Sequence, residues 1–300
     1  MNRKSLILVF SGYVIWGLLP IYWGFLSAFP PLFVLANRII WAAVFTLLLL
    51  LLTRRHRELL AVFKDRRVMK CLIPAALLIT LNWGLYIWAV TGGRVLDASL
   101  GYFINPLAVF ICGVLVFKEA FRRSELLSLI FAAVGVLICT LQVGAFPLMA
   151  LALALSFAAY STVKKLAHAD GLLSFCVETL IVAPLALLFL LFSPTTAAAY
   201  SAATPLELAL LVGSGLVTAL PMVLYSQGFN HLPLITMGLL QFVAPTLMFF
   251  VSIARGEDVL ARLGGFAFIW VGLLVFVSQL VRHERKARPA AVEAAEKHGT

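Results

Sequence analysis

Charged side chains are scarce in this chain, at 12% of 300 residues, about half the share usual in soluble domains. A soluble fold of that length needs a polar shell over its surface, so the shortage excludes one. Histidine is scarce too: His56, His168, His231, His283 and His298 are the only five, and none falls inside an apolar run. That removes the usual material for a buried metal centre or a histidine-based catalytic site. The four cysteines (Cys71, Cys112, Cys139 and Cys176) form no CxxC pair and sit in or beside apolar runs. Cysteines so placed behave as small hydrophobes, and neither a disulfide nor a zinc site is expected. The pattern GxxxxGK[ST] is missing, so no ATP site is expected within the chain, and no cofactor is expected.

What the chain has is apolar length. Hydrophobic residues make up 63% of it, against roughly 45–50% in a soluble domain. The surplus falls into ten runs, at 5–26, 32–52, 71–91, 97–117, 125–142, 147–163, 172–192, 207–228, 233–254 and 263–281. A bilayer core is crossed by about 20 apolar residues in a helix, whereas a β-barrel would show alternating segments of roughly ten residues. The fold class is therefore all-α, a polytopic membrane protein of ten transmembrane helices. The run 5–26 follows Arg3 and Lys4 in the manner of a signal peptide. It is too long and lacks a small-residue cleavage site, so it is expected to be the first span. Only 53–70 and the tail 282–300 make long polar segments, which leaves no room for an extramembrane domain.

The net charge is +10. In a soluble protein this would suggest nucleic acid; here the basic residues lie in clusters between apolar runs and report topology, and no nucleic-acid partner is expected. With the N-terminus in the cytoplasm, nineteen of the 23 Lys and Arg fall inside, including Lys164 and Lys165. Arg94, Arg255 and Arg262 fall outside, and Arg38 lies within a span. The asymmetry places both ends in the cytoplasm. The basic segment 53–70 is expected to lie on the anionic lipid of the inner leaflet. The tail 282–300 is expected to be a basic, disordered cytoplasmic extension.

The two halves resemble each other weakly. Shifted by 139 positions, Tyr86 meets Tyr225, Phe103 meets Phe242, Pro106 meets Pro245, Glu119 meets Asp258 and Arg123 meets Arg262. Five spans per copy is an odd number, so the second copy must insert upside down. The expected domains are two inverted five-helix repeats, 3–142 and 147–281, an architecture that transporters use with a site at the repeat interface.

Charges and amides at depth mark the candidate site, because each costs about 2.5–3.5 kcal/mol at a span centre when ionised. Arg38 and Glu178 are seventh in the second and seventh spans, 140 positions apart. Each lies about 10 Å below its own face at the helical rise. They are expected either to line a polar cavity, facing substrate or each other, or to lock helices together. Asn82 and Tyr86 share a helical face, with Trp83 on a neighbouring one. Asn105 precedes Pro106, whose missing N–H leaves carbonyls free, and Gln241 stands four before Pro245 in the ninth span. Trp16 and Tyr102 are further candidates for the cavity wall, while Trp23, Trp41 and Trp270 are assigned to packing or the interfacial belt. Ala150, Ala154, Ala158 and Thr162 make a close-packing stripe at four-residue spacing.

These residues carry a resemblance. Trp16-Gly17 with Pro20 and Tyr22-Trp23, Arg38, Leu81-Asn82-Trp83 with Tyr86-Ile87-Trp88, the run Ala98-Ser99-Leu100-Gly101-Tyr102-Phe103-Ile104-Asn105-Pro106-Leu107, Glu178, and Gln241 with Ala244-Pro245-Thr246 resemble the RarD-type permeases of the EamA branch of the drug/metabolite transporter superfamily. The likeness covers about residues 3–281. It implies ten helices in two inverted repeats, cytoplasmic termini and a bacterial inner membrane. One departure is that Lys118 precedes Glu119 where the family usually ends the fourth span in Gly-Glu; Gly256-Glu257 keeps that pattern in the second copy.

The expectation is thus a small-molecule permease rather than an enzyme. It would export amino acids, metabolites or amphipathic drugs by alternating access, with Trp16, Arg38, Asn82, Tyr86, Tyr102, Asn105, Glu178 and Gln241 binding substrate. An integral membrane enzyme acting on a lipid-soluble substrate and a non-transporting membrane subunit are the alternatives.

Overall fold

The computed structural model describes residues 3–91, 95–143, 148–229, 231–254 and 263–278. Every regular element among the described residues is a helix: α1 (Arg3–Gly24), α2 (Pro31–Leu52), α3 (His56–Lys64), α4 (Arg66–Thr91), α5 (Val95–Phe117), α6 (Arg123–Val143), α7 (Leu148–Ala167), α8 (Gly171–Phe192), α9 (Pro194–Ala202), α10 (Pro205–Phe229), α11 (Leu234–Leu240), α12 (Val243–Ala254) and α13 (Leu263–Ser278). Eight helical stretches are long and apolar enough to cross a membrane, with Gly101–Phe117 and Leu263–Ser278 as shorter apolar ones. Large apolar side chains such as Leu141, Leu185, Leu191, Leu216 and Leu274 stand exposed. Only acyl chains make such a surface favourable, and the chain is a multi-pass membrane protein.

Local chemistry sets the helix ends. Pro31 opens α2, where its missing N–H costs nothing. Asp170 caps α8, its Oδ1 accepting from the N–H groups of Leu172 and Leu173 at 3.0 Å. Thr204 and Glu207 start α10 as a capping box, the Glu207 carboxylate accepting from Thr204 N–H at 2.8 Å and Glu207 N–H donating back to the Thr204 hydroxyl at 3.3 Å. At the other ends, Arg54, Lys118 and His168 follow α2, α5 and α7 with φ of 58°, 51° and 49°. These are left-handed positions that glycine occupies most cheaply. The Lys118 departure therefore falls where a side chain is disfavoured.

Three details differ from the sequence reading. The connection 53–70 is mostly helical, α3 being an amphipathic helix of about two and a half turns that buries Leu59 and leaves Leu60 and Phe63 exposed. A short helix, α9, fills the link between α8 and α10. The ninth run is interrupted at Gln241 and Phe242, between α11 and α12, while α5 runs through Pro106 without a break. Proline clashes with the carbonyl four residues back, and for Pro245 that is Gln241. The connection 255–262, with Gly256-Glu257 and Asp258, and the tail 282–300 lie outside the described residues.

Packing groups the helices into two units that do not follow the repeat boundary. One comprises α1–α5 and α7–α12; the other comprises α6 and α13. In the first unit, α7 packs on α4 and α5, α1 on α10 and α12, α2 on α8 and α10, and α5 on α11. The alanines of the stripe on α7, Ala150, Ala154 and Ala158, are buried, and Ala150 O with Leu153 faces Gly101 of α5. In the second unit, Gly135 meets Gly265 so closely that a Cβ at 135 would lie 2.5 Å from Gly265 O. Small residues are what let apolar helices approach in lipid, where no hydrophobic effect draws them together.

Candidate functional site

The first unit holds a partly open cavity of about 80 Å³, room for several waters where about 10–15 Å³ holds one. It lies between the C-terminal parts of α1 and α4 and the N-terminal parts of α2 and α5, with α7, α10 and α12 completing the wall. Seven of the eight residues singled out in the sequence border it: Trp16, Arg38, Asn82, Tyr86, Tyr102, Asn105 and Gln241. Helical spacing explains the convergence. Asn82 and Tyr86, with Ile79, occupy one face of α4 at i, i+3 and i+7, and Trp83 completes it.

Arg38 is 8% exposed. Its guanidinium carbon lies 4.9 Å from the ring centre of Trp23 and 4.3 Å from that of Trp83, over both indoles. Such contacts contribute about 0.5–2 kcal/mol each. Its Nε has no hydrogen-bond acceptor, and no carboxylate pairs with it among the described residues. Two more buried atoms on the wall are also unpartnered, Asn105 Oδ1 and Gln241 Oε1. Leaving such an atom unmatched costs about 1–3 kcal/mol. Asn82 is different: its Nδ2 donates to Leu153 O at 2.9 Å and to Ser156 Oγ at 3.0 Å, tying α4 to α7. Tyr86 and Tyr102 meet edge to face at 5.6 Å.

Glu178 is the correction. It is absent from the cavity wall and does not face Arg38. Its Oε1 lies 2.6 Å from Lys164 Nζ, with both side chains almost fully buried, at 1% and 4% exposure. Tyr160 OH donates to Oε2 at 3.2 Å. Glu178 instead borders a separate hollow of about 10 Å³ shared with Trp83. Lys164 is likewise not a solvent-facing topology marker but an interior cation in the last turn of α7. Its neighbour Lys165 turns the other way, to Glu119 at 2.6 Å and Leu232 O at 3.2 Å. Glu119 also accepts from the N–H groups of Leu234 and Ile235, at 2.8 and 3.0 Å, so it caps α11.

Tyr13, Trp16 and Phe157 of the cavity wall form an aromatic cluster with Tyr225. Trp16 stands 5.4 Å from Tyr13, 5.3 Å from Tyr225 and 6.4 Å from Phe157, ring centre to ring centre. Two polar links run beside it: Ser161 Oγ and Tyr225 OH at 3.1 Å, and Tyr13 OH donating to Met237 O at 3.3 Å. Trp23, assigned from sequence to belt or packing, lines the cavity instead. The signal was present, because Trp16, Pro20 and Trp23 follow one another at four and three residues and so share a face of α1. Lys164 follows Phe157 and Tyr160 at the same spacing on α7.

A lipid-exposed helical bundle around a largely aromatic cavity with one arginine and three amide side chains on its wall defines a membrane transporter. The sequence profile of the EamA-like transporter family matches residues 3–141. An uncharacterized transporter, YojE of Bacillus subtilis, is 37% identical over 295 residues, 96% of this chain and 98% of that one. Protein RarD of Escherichia coli is 34% identical over 288 residues, 95% and 97% of the two chains. A solved crystal structure shares the fold with a TM-score of 0.70 at 18% identity, over 92% of this chain and 98% of the other. The chain belongs to the EamA-like transporter family, among its RarD-type permeases.

Proposed function

We propose that this protein is a small-molecule permease of a bacterial inner membrane, working by alternating access between two inverted repeats, 3–142 and 147–281, and exporting its substrate. The observation that carries the reading is the cavity wall. Arg38, Asn82, Tyr86, Tyr102 and Asn105 come from the first half and Gln241 from the second, and three of their buried polar atoms are unpartnered. A wall built for packing alone would satisfy those groups. Trp16, Arg38, Asn82, Tyr86, Tyr102, Asn105 and Gln241 bind substrate in this reading, and Glu178 serves the closure described below.

Helix partnership supports the repeats. With α1 equivalent to α7, α4 to α10 and α5 to α11 with α12, the packing of α7 on α4 and α5 matches that of α1 on α10 and α12. The Lys and Arg asymmetry supports cytoplasmic termini. In that orientation the cavity occupies the outer half of the bundle. Lys164–Glu178, Ser161–Tyr225 and Tyr13–Met237 then form a clasp on the inner side, joining α7 and α11 to α1, α8 and α10. Loading of substrate from the cytoplasm requires these links to open.

Reconstitution tests the reading. Liposomes holding the pure protein are expected to show saturable solute flux that falls at least tenfold with Arg38→Ala, while insertion and thermal stability persist. Turnover of a membrane lipid without solute flux would establish the enzyme alternative instead.

A further inference from the structure

The charge balance of the cavity wall goes further than the permease reading on which it rests. Arg38 is the one charged side chain on that wall among the described residues. The other interior charges cancel elsewhere, Lys164 against Glu178 and Lys165 against Glu119. Among the described residues the cavity wall therefore carries one uncompensated positive charge. The two indoles lie close to the guanidinium carbon, and an aromatic ring stabilises a cation without neutralising it. The guanidinium Nε has no acceptor. A carboxylate takes two parallel N–H bonds in the guanidinium plane.

The other unpartnered atoms define the rest of the ligand. Asn105 Oδ1 and Gln241 Oε1 are acceptors, so the ligand must bring a hydrogen-bond donor. Among the described residues no carboxylate lines the cavity to balance an ammonium. A zwitterionic amino acid would satisfy the acceptors and still leave the site with its net positive charge. A dianion such as a phosphate monoester would overshoot it with one cation to meet two charges. Trp16, Trp23, Trp83, Tyr86 and Tyr102 supply aromatic surface for a flat apolar body.

We infer that the cavity selects aromatic monocarboxylates that carry a neutral hydrogen-bond donor such as a hydroxyl, in preference to zwitterionic amino acids, neutral esters and organic cations.

The test compares five probes on the full-length wild-type protein at neutral pH: 3-phenyllactate, 3-phenylpropionate, phenylalanine, methyl 3-phenyllactate and phenethylamine. Binding is read by calorimetry in detergent and flux by counterflow in liposomes, with protein-free vesicles subtracted. 3-Phenyllactate is expected to bind tightest. Losing the hydroxyl or gaining the ammonium should weaken binding about tenfold or more, the scale of one lost polar contact. The ester and the amine should show no saturable binding. Arg38→Lys should retain the preference for anions at reduced affinity, because it keeps the charge and loses the fork.

Phenylalanine or phenethylamine binding as well as 3-phenyllactate overturns the inference and leaves the permease reading standing. Binding of none of the five also overturns it. Selective binding of 3-phenyllactate without counterflow supports the anion site and counts against transport.

Discussion

Lys164 Nζ and Glu178 Oε1 lie 2.6 Å apart and join the last turn of α7 to the second turn of α8, with almost no exposure on either side chain. α7 rests on α4 and α5, and α8 on α2, α10 and α4, so the ion pair joins two helices that both pack against α4.

Removing one partner strands the other charge. Glu178→Met and Lys164→Met are each expected to destabilise the protein by about 3–5 kcal/mol, whereas combining the two restores most of the loss. Thermal unfolding of the four proteins in one detergent checks this as a double-mutant cycle. Additive losses would mean that the two residues act separately.

Lys118→Gly should stabilise. The residue has a φ of 51° at the end of α5, and a left-handed conformation costs a residue with a Cβ about 1–2 kcal/mol. The gain from relieving that strain is offset in part by the greater freedom of glycine in the unfolded chain. A rise in melting temperature with unchanged binding is the expected result; a fall would show that the Lys118 side chain contributes more than its backbone strain costs.

Gly135→Ala is expected to destabilise the unit of α6 and α13 by about 1–3 kcal/mol, the range for overpacking. Its Cβ would stand 2.5 Å from the Gly265 carbonyl oxygen and 2.6 Å from Ile269 Cγ1, one of them backbone that cannot rotate away. Gly264→Ala is the control on the same unit, since nothing lies within 4 Å of a Cβ there. Equal melting temperatures for the two variants would remove the close-approach explanation.

Orientation has its own measurement. A green fluorescent protein fused after Thr300 should fluoresce and an alkaline phosphatase fused there should be inactive, because only the first matures in the cytoplasm and only the second outside it. The reverse pattern would invert the whole assignment, moving the cavity to the inner half of the bundle and the clasp to the outer.

Much of the site could be read from residue spacing. Asn82 and Tyr86 had to share a face, and Arg38, Asn105 and Gln241 stood out because polar groups at depth are costly. Trp23 and Lys164 were open to the same method, since each continues a helical face already marked by Trp16 or by Phe157. They were passed over because a tryptophan near a span end and a lysine doublet after a span both have interfacial explanations that need no tertiary contact. Glu178 was a different case. Depth singled it out, but depth does not say toward which neighbour a side chain points.

The sequence by itself determined that this is an all-helical membrane protein, where most helices begin and end, and which few side chains must escape from lipid. Those follow from local energies: apolar transfer, backbone hydrogen bonding and the cost of a buried charge. Only the tertiary structure decided that Arg38 lies over two indoles with no acid paired to it among the described residues, while Glu178 is claimed by Lys164. Pairing depends on which faces of distant helices meet, and in lipid that is settled by small-residue packing and polar contacts that no single helix contains.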